Sequence, residues 1–404
     1  MMTSGFPTVD PRPHPGVTAV VVGRDYRTGL AVRVSFQDGC IAEIEQLTDA
    51  GDETGAWIGP GFVDLQVNGY RGVDLNAMPL VPELVERIAV ELRSEGITSF
   101  LPTLVSNGDE VIEQALAAIS AACSRSASTR AAIAGVHLEG PFISPEDGPR
   151  GAHDAAHVKR PDWELLRRWQ EAAEGMIRMI TVAPEWPGAV PFVARCVESG
   201  LIVAIGHTAA SPEQVRDAVA AGARISTHLG NGAHSQLPRH PNYLWEQLAQ
   251  DELWASVIAD GFHLPDSVIK VILKVKGEQT IVVSDAVCLS GMPPGDYEMP
   301  IGGEVVFTPA GKLHLRQSPD LLAGSAQMLP AAMSNLVWRG LASLPDAWEM
   351  CSVRPSRFLD LPTAAGLAVG APGDLVALEP RDGAFAISAT YKAGEPVFAA
   401  VGTG

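Results

Sequence analysis

The chain has 404 residues, 46% of them hydrophobic and 19% charged, an ordinary globular composition with room for one large domain and a smaller one. Its 29 Lys and Arg stand against 47 Asp and Glu, a formal charge of -18, which argues against nucleic acid or an anionic membrane as partner because a phosphate surface needs a basic face. The five cysteines (Cys40, Cys123, Cys196, Cys288 and Cys351) are odd in number, scattered and without a C-x-x-C pair, so reduced thiols in a cytoplasmic protein are expected.

Residues 1–16 carry four prolines and two glycines and read as a loosely draped or disordered tail. No basic region followed by an apolar one marks a signal peptide there, and no apolar run approaches the roughly 18 residues of a membrane helix. Val17–Val22, Ala31–Phe36 and Cys40–Gln46 are short β-branched or alternating runs between Gly and Asp turns, expected to be antiparallel strands. From Gly59 the pattern becomes strand, loop, helix, repeated. Phe62–Val67, Ile97–Leu104, Ile133–Leu138, Met179–Ala183, Ile202–Ile205, Arg224–His228, Trp254–Ala259 and Thr280–Ser284 are eight strand candidates. Between most of them lie helical patterns. Val81–Glu95 repeats apolar residues at i, i+3 and i+4 and stops at Gly96. Asp109–Cys123, Pro161–Ala173, Val190–Ser199, Ser211–Ala221 and Pro265–Val275 behave similarly, and Ser211-Pro212-Glu213 is a good helix start.

Eight strands alternating with helices predict an α/β fold, a (β/α)8 TIM-type barrel over residues 59–359. A doubly wound open sheet is the runner-up, but no G-x-G-x-x-G follows a first strand. After the eighth strand, Tyr297–Leu315 reads as hairpins around Gly302-Gly303 and Pro309–Gly311; helical patterns return at Ser325–Arg339 and Pro345–Ser352. Gly366–Leu378 and Ala384–Val401 are again short strands and turns. A small β-sandwich domain built from both chain ends, 1–58 and 360–404, is expected.

The stretch AGVHLEGPF at Ala134–Phe142 places Glu139 at the end of an apolar run, just before Gly140-Pro141. Glu is rarely buried unless paired or bound to a metal. The arrangement recurs where apolar runs end in Gly206-His207-Thr208, Thr227-His228-Leu229, Asp260–His263 and Ser284-Asp285-Ala286. A barrel of this kind gathers its catalytic groups at the C-terminal strand ends. A lone histidine there is more often structural, and a lone Asp285 could be a turn former; five polar groups on five strand ends argue for a site. One carboxylate and two imidazoles with an open position form the usual set for a catalytic Zn²⁺ or similar ion. A carboxylate beside a water on that ion can serve as base, and Asp285 suits the task because the run Thr280–Ser284 before it should bury it.

These motifs resemble the amidohydrolase superfamily, and within it the N-acetylglucosamine-6-phosphate deacetylase family. The likeness rests on Pro60–Asp64 (PGFVD), His137–Phe142 (HLEGPF), Gly206–Thr208 (GHT), His228–Asn231 (HLGN), Asp260–His263 (DGFH), Ser284–Ala286 (SDA) and Leu322–Ser325 (LAGS), with Gly370–Val376 matching the small domain's second half. The resemblance implies one divalent ion per chain, Zn or else Fe, Mn, Co or Ni, on Glu139, His207 and His228. It implies Asp285 as base and then acid, acting on water held by that ion, and His153 as the imidazole that polarises the substrate. Substrate contacts would come from Ala152, His153, Asn231, Gly232, Arg239 and His263 and from the Leu322, Ala323 and Gly324 backbone. Where many amidohydrolases place an H-x-H metal pair, this chain has Gln66 and Asn68; neutral amides are poor ligands for a transition metal, so these are expected to be vestigial second-metal positions, as some members of the deacetylase family also read. The segment HLGNGAHSQLPRHPN departs from the family's HLFNAM pattern, although Arg239 keeps the family's spacing, eleven residues after His228.

The implied activity is hydrolysis of the acetamide of N-acetylglucosamine 6-phosphate, or a close N-acetylated amino-sugar phosphate, to acetate and the free amine, by a cytoplasmic homodimer with a small-molecule substrate. One alternative is another amidase of the superfamily, acting on an unphosphorylated N-acyl substrate or a cyclic amide. Two-metal members of that kind carry a carboxylated Lys, yet Lys159 follows a loop, and Lys270 and Lys274 fall in a helix. A second alternative is a non-catalytic sugar-binding barrel, which would have no need of a base. A serine hydrolase at Ser325 lacks the G-x-S-x-G elbow.

Overall fold

The computed structural model describes residues 19–48, 55–299 and 303–400; the tail expected over residues 1–16 lies outside them. Eight strands form one sheet, here numbered β1 (Phe62–Val67), β2 (Ile97–Val105), β3 (Val136–Glu139), β4 (Ile177–Val182), β5 (Ile202–Ile205), β6 (Ile225–Ser226), β7 (Trp254–Ile258) and β8 (Thr280–Val283). Their order in the sheet is their order in the chain, and a parallel bridge from Val67 to Ala286 brings the end of β1 to the end of β8. This is the expected TIM-type barrel. Every residue of β1 and β2 is buried, as a sheet covered on both faces requires.

The expected helices lie between the strands: Pro82–Glu91, Asp109–Arg125, Trp163–Ala172, Ala189–Glu198, Pro212–Ala220 and Asp266–Lys276. The Ser211 cap forms as a full capping box, its hydroxyl accepting from Gln214 N and the Gln214 side chain accepting from Ser211 N. Two short helices, Ala127–Ala132 and Tyr243–Ala249, were not expected. The sixth strand is shorter than the expected Arg224–His228, because the chain leaves the extended region at His228.

Along β3, His137 and Glu139 are two residues apart and share the barrel interior. His137 lies in a polar layer with Thr181 and Thr227: its Nε2 is 2.8 Å from Thr181 Oγ1, which is 2.8 Å from Thr227 Oγ1. Burial lowers its pKa to about 4, so this histidine is a neutral structural residue beneath the mouth.

The insertion after β8 is a four-stranded antiparallel sheet, Gly295–Met299, Gly303–Phe307, Leu313–Leu315 and Ser318–Leu322, with Met299, Val305, Phe307 and Leu313 in its core. Both chain ends meet in a seven-stranded sheet, where Leu375–Arg381 pairs antiparallel with Trp57–Pro60. The chain divides into two compact units, residues 1–64, 91–99 and 329–404, and residues 65–90 with 100–328. In the first, Trp348 is fully buried and donates its indole N–H to Pro60 O at 2.9 Å. The second carries the strand ends and loops described next. All five cysteines are free, and no helix among the described residues is long and apolar enough to cross a membrane.

Candidate active site

Glu139 closes β3, and His207, His228 and Asp285 each follow their strand by two residues. The last three occupy left-handed backbone, with φ of 49°, 28° and 49°. That region costs a side-chain-bearing residue roughly 1–3 kcal/mol and persists only where the surroundings over-determine it. The local sequence makes room for the turns. A Cβ on Gly206 would lie 2.7 Å from Thr227 Cβ, and one on Gly232 would lie 2.7 Å from His207 Nδ1.

Three potential ligand atoms meet at one point. Glu139 Oε1 is 3.2 Å from His207 Nε2 and 2.8 Å from His228 Nε2, and the two Nε2 atoms are 3.0 Å apart. All three residues are buried. His207 Nδ1 donates to Pro149 O at 2.9 Å, which leaves the lone pair on Nε2 facing the carboxylate. Two acceptors so close, in a dry setting, require a positive charge between them. Burial pushes the Glu139 carboxyl up, but its bonds to His207 and His228 win and hold it well below the ordinary carboxylate value. Burial pushes His228 down, but its bond to Glu139 and the charges of Glu139 and Asp285 raise it on balance. The donor set, two nitrogens and a carboxylate oxygen within 4.8 Å of one another, fits a divalent transition-metal ion.

Beside it, Asp285 Oδ1 accepts from Gln66 Nε2 at 3.0 Å and from Asn68 Nδ2 at 2.7 Å; Gln66 Nε2 also reaches Glu139 Oε1 at 2.8 Å. The Asp285 carboxyl is pushed up to about 6, first by burial and then by the charge of Glu139, against the lowering effects of His228, His263 and Asn68. The His153 ring lies edge-on to His207 with centroids 4.5 Å apart. Its Nδ1 is 2.9 Å from Ser106 Oγ and accepts from Ser106 N–H at 3.4 Å, so Nε2 carries the proton. Burial lowers its pKa to about 3, which keeps the ring neutral with one donor to offer. His263 Nδ1 is 2.7 Å from Asp260 Oδ2, while Asp260 Oδ1 accepts from the Phe262 and His263 backbone N–H groups.

Asn68, Glu139, His153, His207, His228, His263 and Asp285 line a cavity of about 1000 Å³, together with Ala152, Asn231, Gly232, Leu322, Ala323 and Gly324. Of the residues singled out as substrate contacts, Arg239 alone is outside the lining, and it is exposed. Sequence reasoning passed over Ser106, Lys312 and His234, of which Lys312 and His234 line the cavity. His234 Nδ1 is 3.0 Å from Tyr243 Oη and its Nε2 3.1 Å from Glu146 Oε2, tying the loop after β3 to the loop after β6. The only signal for it was a histidine six residues past His228, where the motif departs from the family pattern.

A family model described as the amidohydrolase family matches residues 57–398. An N-acetylglucosamine-6-phosphate deacetylase of Lysinibacillus sphaericus is 30% identical over 86% of this chain and 89% of its own length. An N-acetylgalactosamine-6-phosphate deacetylase of Escherichia coli O157:H7 is 30% identical over 86% of this chain and 90% of its length. The crystal structure of N-acetyl-D-glucosamine-6-phosphate deacetylase from Mycobacterium smegmatis superposes with a TM-score of 0.83 at 28% identity, covering 94% of this chain and 100% of that one. The chain belongs to the amidohydrolase family, within its N-acetylglucosamine-6-phosphate deacetylase group.

Proposed function

We propose that this protein hydrolyses the acetamide of N-acetylglucosamine 6-phosphate, or of a close N-acetylated amino-sugar phosphate, to acetate and the amino-sugar phosphate. The observation that carries the reading is the meeting of Glu139, His207 and His228 beside Asp285 and His153 in one cavity, in a chain whose relatives are such deacetylases. Glu139, His207 and His228 would hold one divalent ion, Zn in first place and Fe, Mn, Co or Ni on the same donors. When bound, such an ion acidifies water and polarises a carbonyl oxygen. Asp285 takes a proton from the attacking water as its oxygen bonds to the acyl carbon. His153 donates its Nε2–H to the carbonyl oxygen as charge builds there. Asp285 then gives its proton to the nitrogen as the C–N bond breaks, so acetate and a free amine leave. Residues 59–359 form the catalytic part in this reading, the β domain from 1–58 and 360–404 supports it, and the protein works as a cytoplasmic homodimer.

The raised Asp285 pKa sets a pH dependence. The base works ionised, so kcat/KM falls as pH drops through its pKa and levels off above it. A cation on Glu139, His207 and His228 offsets the Glu139 charge that helps hold Asp285 near 6, so the acid limb belongs at or below about pH 6. A pH-rate profile checks this; kcat/KM still climbing above pH 8 would assign the limb to another group.

Arg239 is our candidate for recognising the phosphate, on its spacing from His228 and on the planar fork of donors that fits phosphate oxygens. A second reading, an unphosphorylated N-acetylated substrate, draws on the exposure of Arg239 and its absence from the cavity lining. Kinetics of wild type and Arg239→Ala on N-acetylglucosamine with and without the 6-phosphate separate them. Phosphate recognition gives a loss in kcat/KM on the order of 10–100-fold for the phosphorylated sugar only. Equal losses make Arg239 structural, and a wild type that prefers the unphosphorylated sugar establishes the second reading.

A further inference from the structure

Gln66 in β1 and Asn68 just past its end stand at the positions expected to be vestigial, and both carry short contacts to carboxyl groups. An ionised carboxylate only accepts hydrogen bonds, so the two bonds on Asp285 Oδ1 come from amide N–H groups. Gln66 spreads its NH₂ between two acids, Glu139 at 2.8 Å and Asp285 at 3.0 Å, and so lies between two negative charges that would otherwise face each other. Asn68 spends its NH₂ on Asp285 at 2.7 Å. That contact fixes the direction of the Asn68 amide and turns its Oδ1 away from the carboxylate. Oδ1 is buried without a hydrogen-bond partner, on a side chain that lines the cavity in a residue only 7% exposed. A buried acceptor left unpaired is costly, and one at the edge of a binding cavity is satisfied when a donor arrives.

We propose that Asn68 is a positioning residue with a second task toward the substrate. Its Nδ2 holds Asp285 by Oδ1, so that Oδ2 is presented to the reacting atoms. Its Oδ1 accepts a hydrogen bond from the N–H of the substrate's N-acyl group. The assignment rests on the deacetylase reading, because Asp285 must reach the amide nitrogen to protonate it. Asn68, bonded to Asp285, is then beside that same nitrogen. The neighbouring groups do not compete for the N–H: His153 Nε2 is a donor, and Glu139 is taken up by His207, His228 and Gln66. The amides at the end of β1 thus take over work on the base where other amidohydrolases bind metal.

The test compares Asn68→Asp and Asn68→Ala in metal-loaded protein, with N-acetylglucosamine and its 6-phosphate as substrates. Asn68→Asp keeps an acceptor and sets beside Asp285 a second carboxyl group that competes with it for one proton, so kcat falls on the order of 100-fold while KM stays within about threefold. Asn68→Ala loses both donor and acceptor, so kcat falls similarly and KM rises about tenfold. In the inert Asp285→Asn background, calorimetry with the intact substrate reads the contact directly, and adding Asn68→Ala weakens binding about tenfold. A merely structural residue moves melting temperature and metal content and gives no such split between the two variants. Unchanged KM and unchanged binding in the Asn68→Ala proteins overturn the substrate contact, and kcat within twofold of wild type in both variants overturns the hold on Asp285. A wild type that turns over neither sugar overturns the deacetylase reading, and this contact with it.

Discussion

Asp285→Asn should fold, keep its metal and lose nearly all turnover. The substitution suits its place: Asn tolerates the left-handed backbone at φ 49° better than most residues, and its Oδ1 can still accept from Gln66 and Asn68. No ligand of Glu139, His207 and His228 is touched. What disappears is the group proposed to move the proton. General-base assistance is worth roughly 10²–10⁴-fold in rate, and the expected loss reaches or exceeds the upper end, because in the proposed mechanism the same carboxyl also serves the leaving amine. Single-turnover and steady-state deacetylation, with metal content measured on the same sample, check it. Activity within tenfold of wild type would mean that another residue is the base.

The barrel and the rim of polar groups were legible because both are local. Apolar runs of four to eight residues separated by helical patterns mark the strands, and a polar residue just past such a run marks the mouth. The traffic between distant strands was not legible. Gln66 and Asp285 are 219 residues apart in sequence, and only closure of β1 onto β8 brings them within 3.0 Å. From spacing alone, Gln66 and Asn68 could be described only by the ligands they are not. His234, Tyr243 and Glu146 were missed for the same reason: the pair His234 and Glu146 spans 88 residues, and neither end stands on a strand. The helix Tyr243–Ala249 escaped notice because seven residues hold too few periods to reveal a stripe. Its start rests on Asn242, whose side chain accepts from Leu244 N and Trp245 N, at the end of the segment that departs from the family pattern. His137 is the converse case. It stands in the HLEGPF motif, outside the candidate set, and it bonds to Thr181 within the barrel.

His207→Ala and His228→Ala should differ in kind from Asp285→Asn, losing metal affinity as well as rate. Each removes one of three proposed ligands and leaves Glu139 beside a single imidazole. Altering a group that merely orients a ligand costs 10–100-fold in metal affinity, so removing the ligand itself should cost more than 100-fold. The loss is readable without turnover. An ion that binds only the folded state stabilises it by about 2.7 kcal/mol at a hundred times its dissociation constant. Zn²⁺ therefore raises the melting temperature of wild type and of Asp285→Asn, a chelator reverses the rise, and the two histidine variants show neither effect at the same concentration. Elemental analysis of Zn-saturated wild type should give one ion per chain, because the carboxamides of Gln66 and Asn68 already bond Glu139 and Asp285 and are poor ligands for a transition metal. Two tightly held ions per chain would overturn the single-ion expectation, and a His207→Ala protein that keeps its ion through gel filtration with its melting temperature unchanged would remove Glu139, His207 and His228 from the role of metal centre.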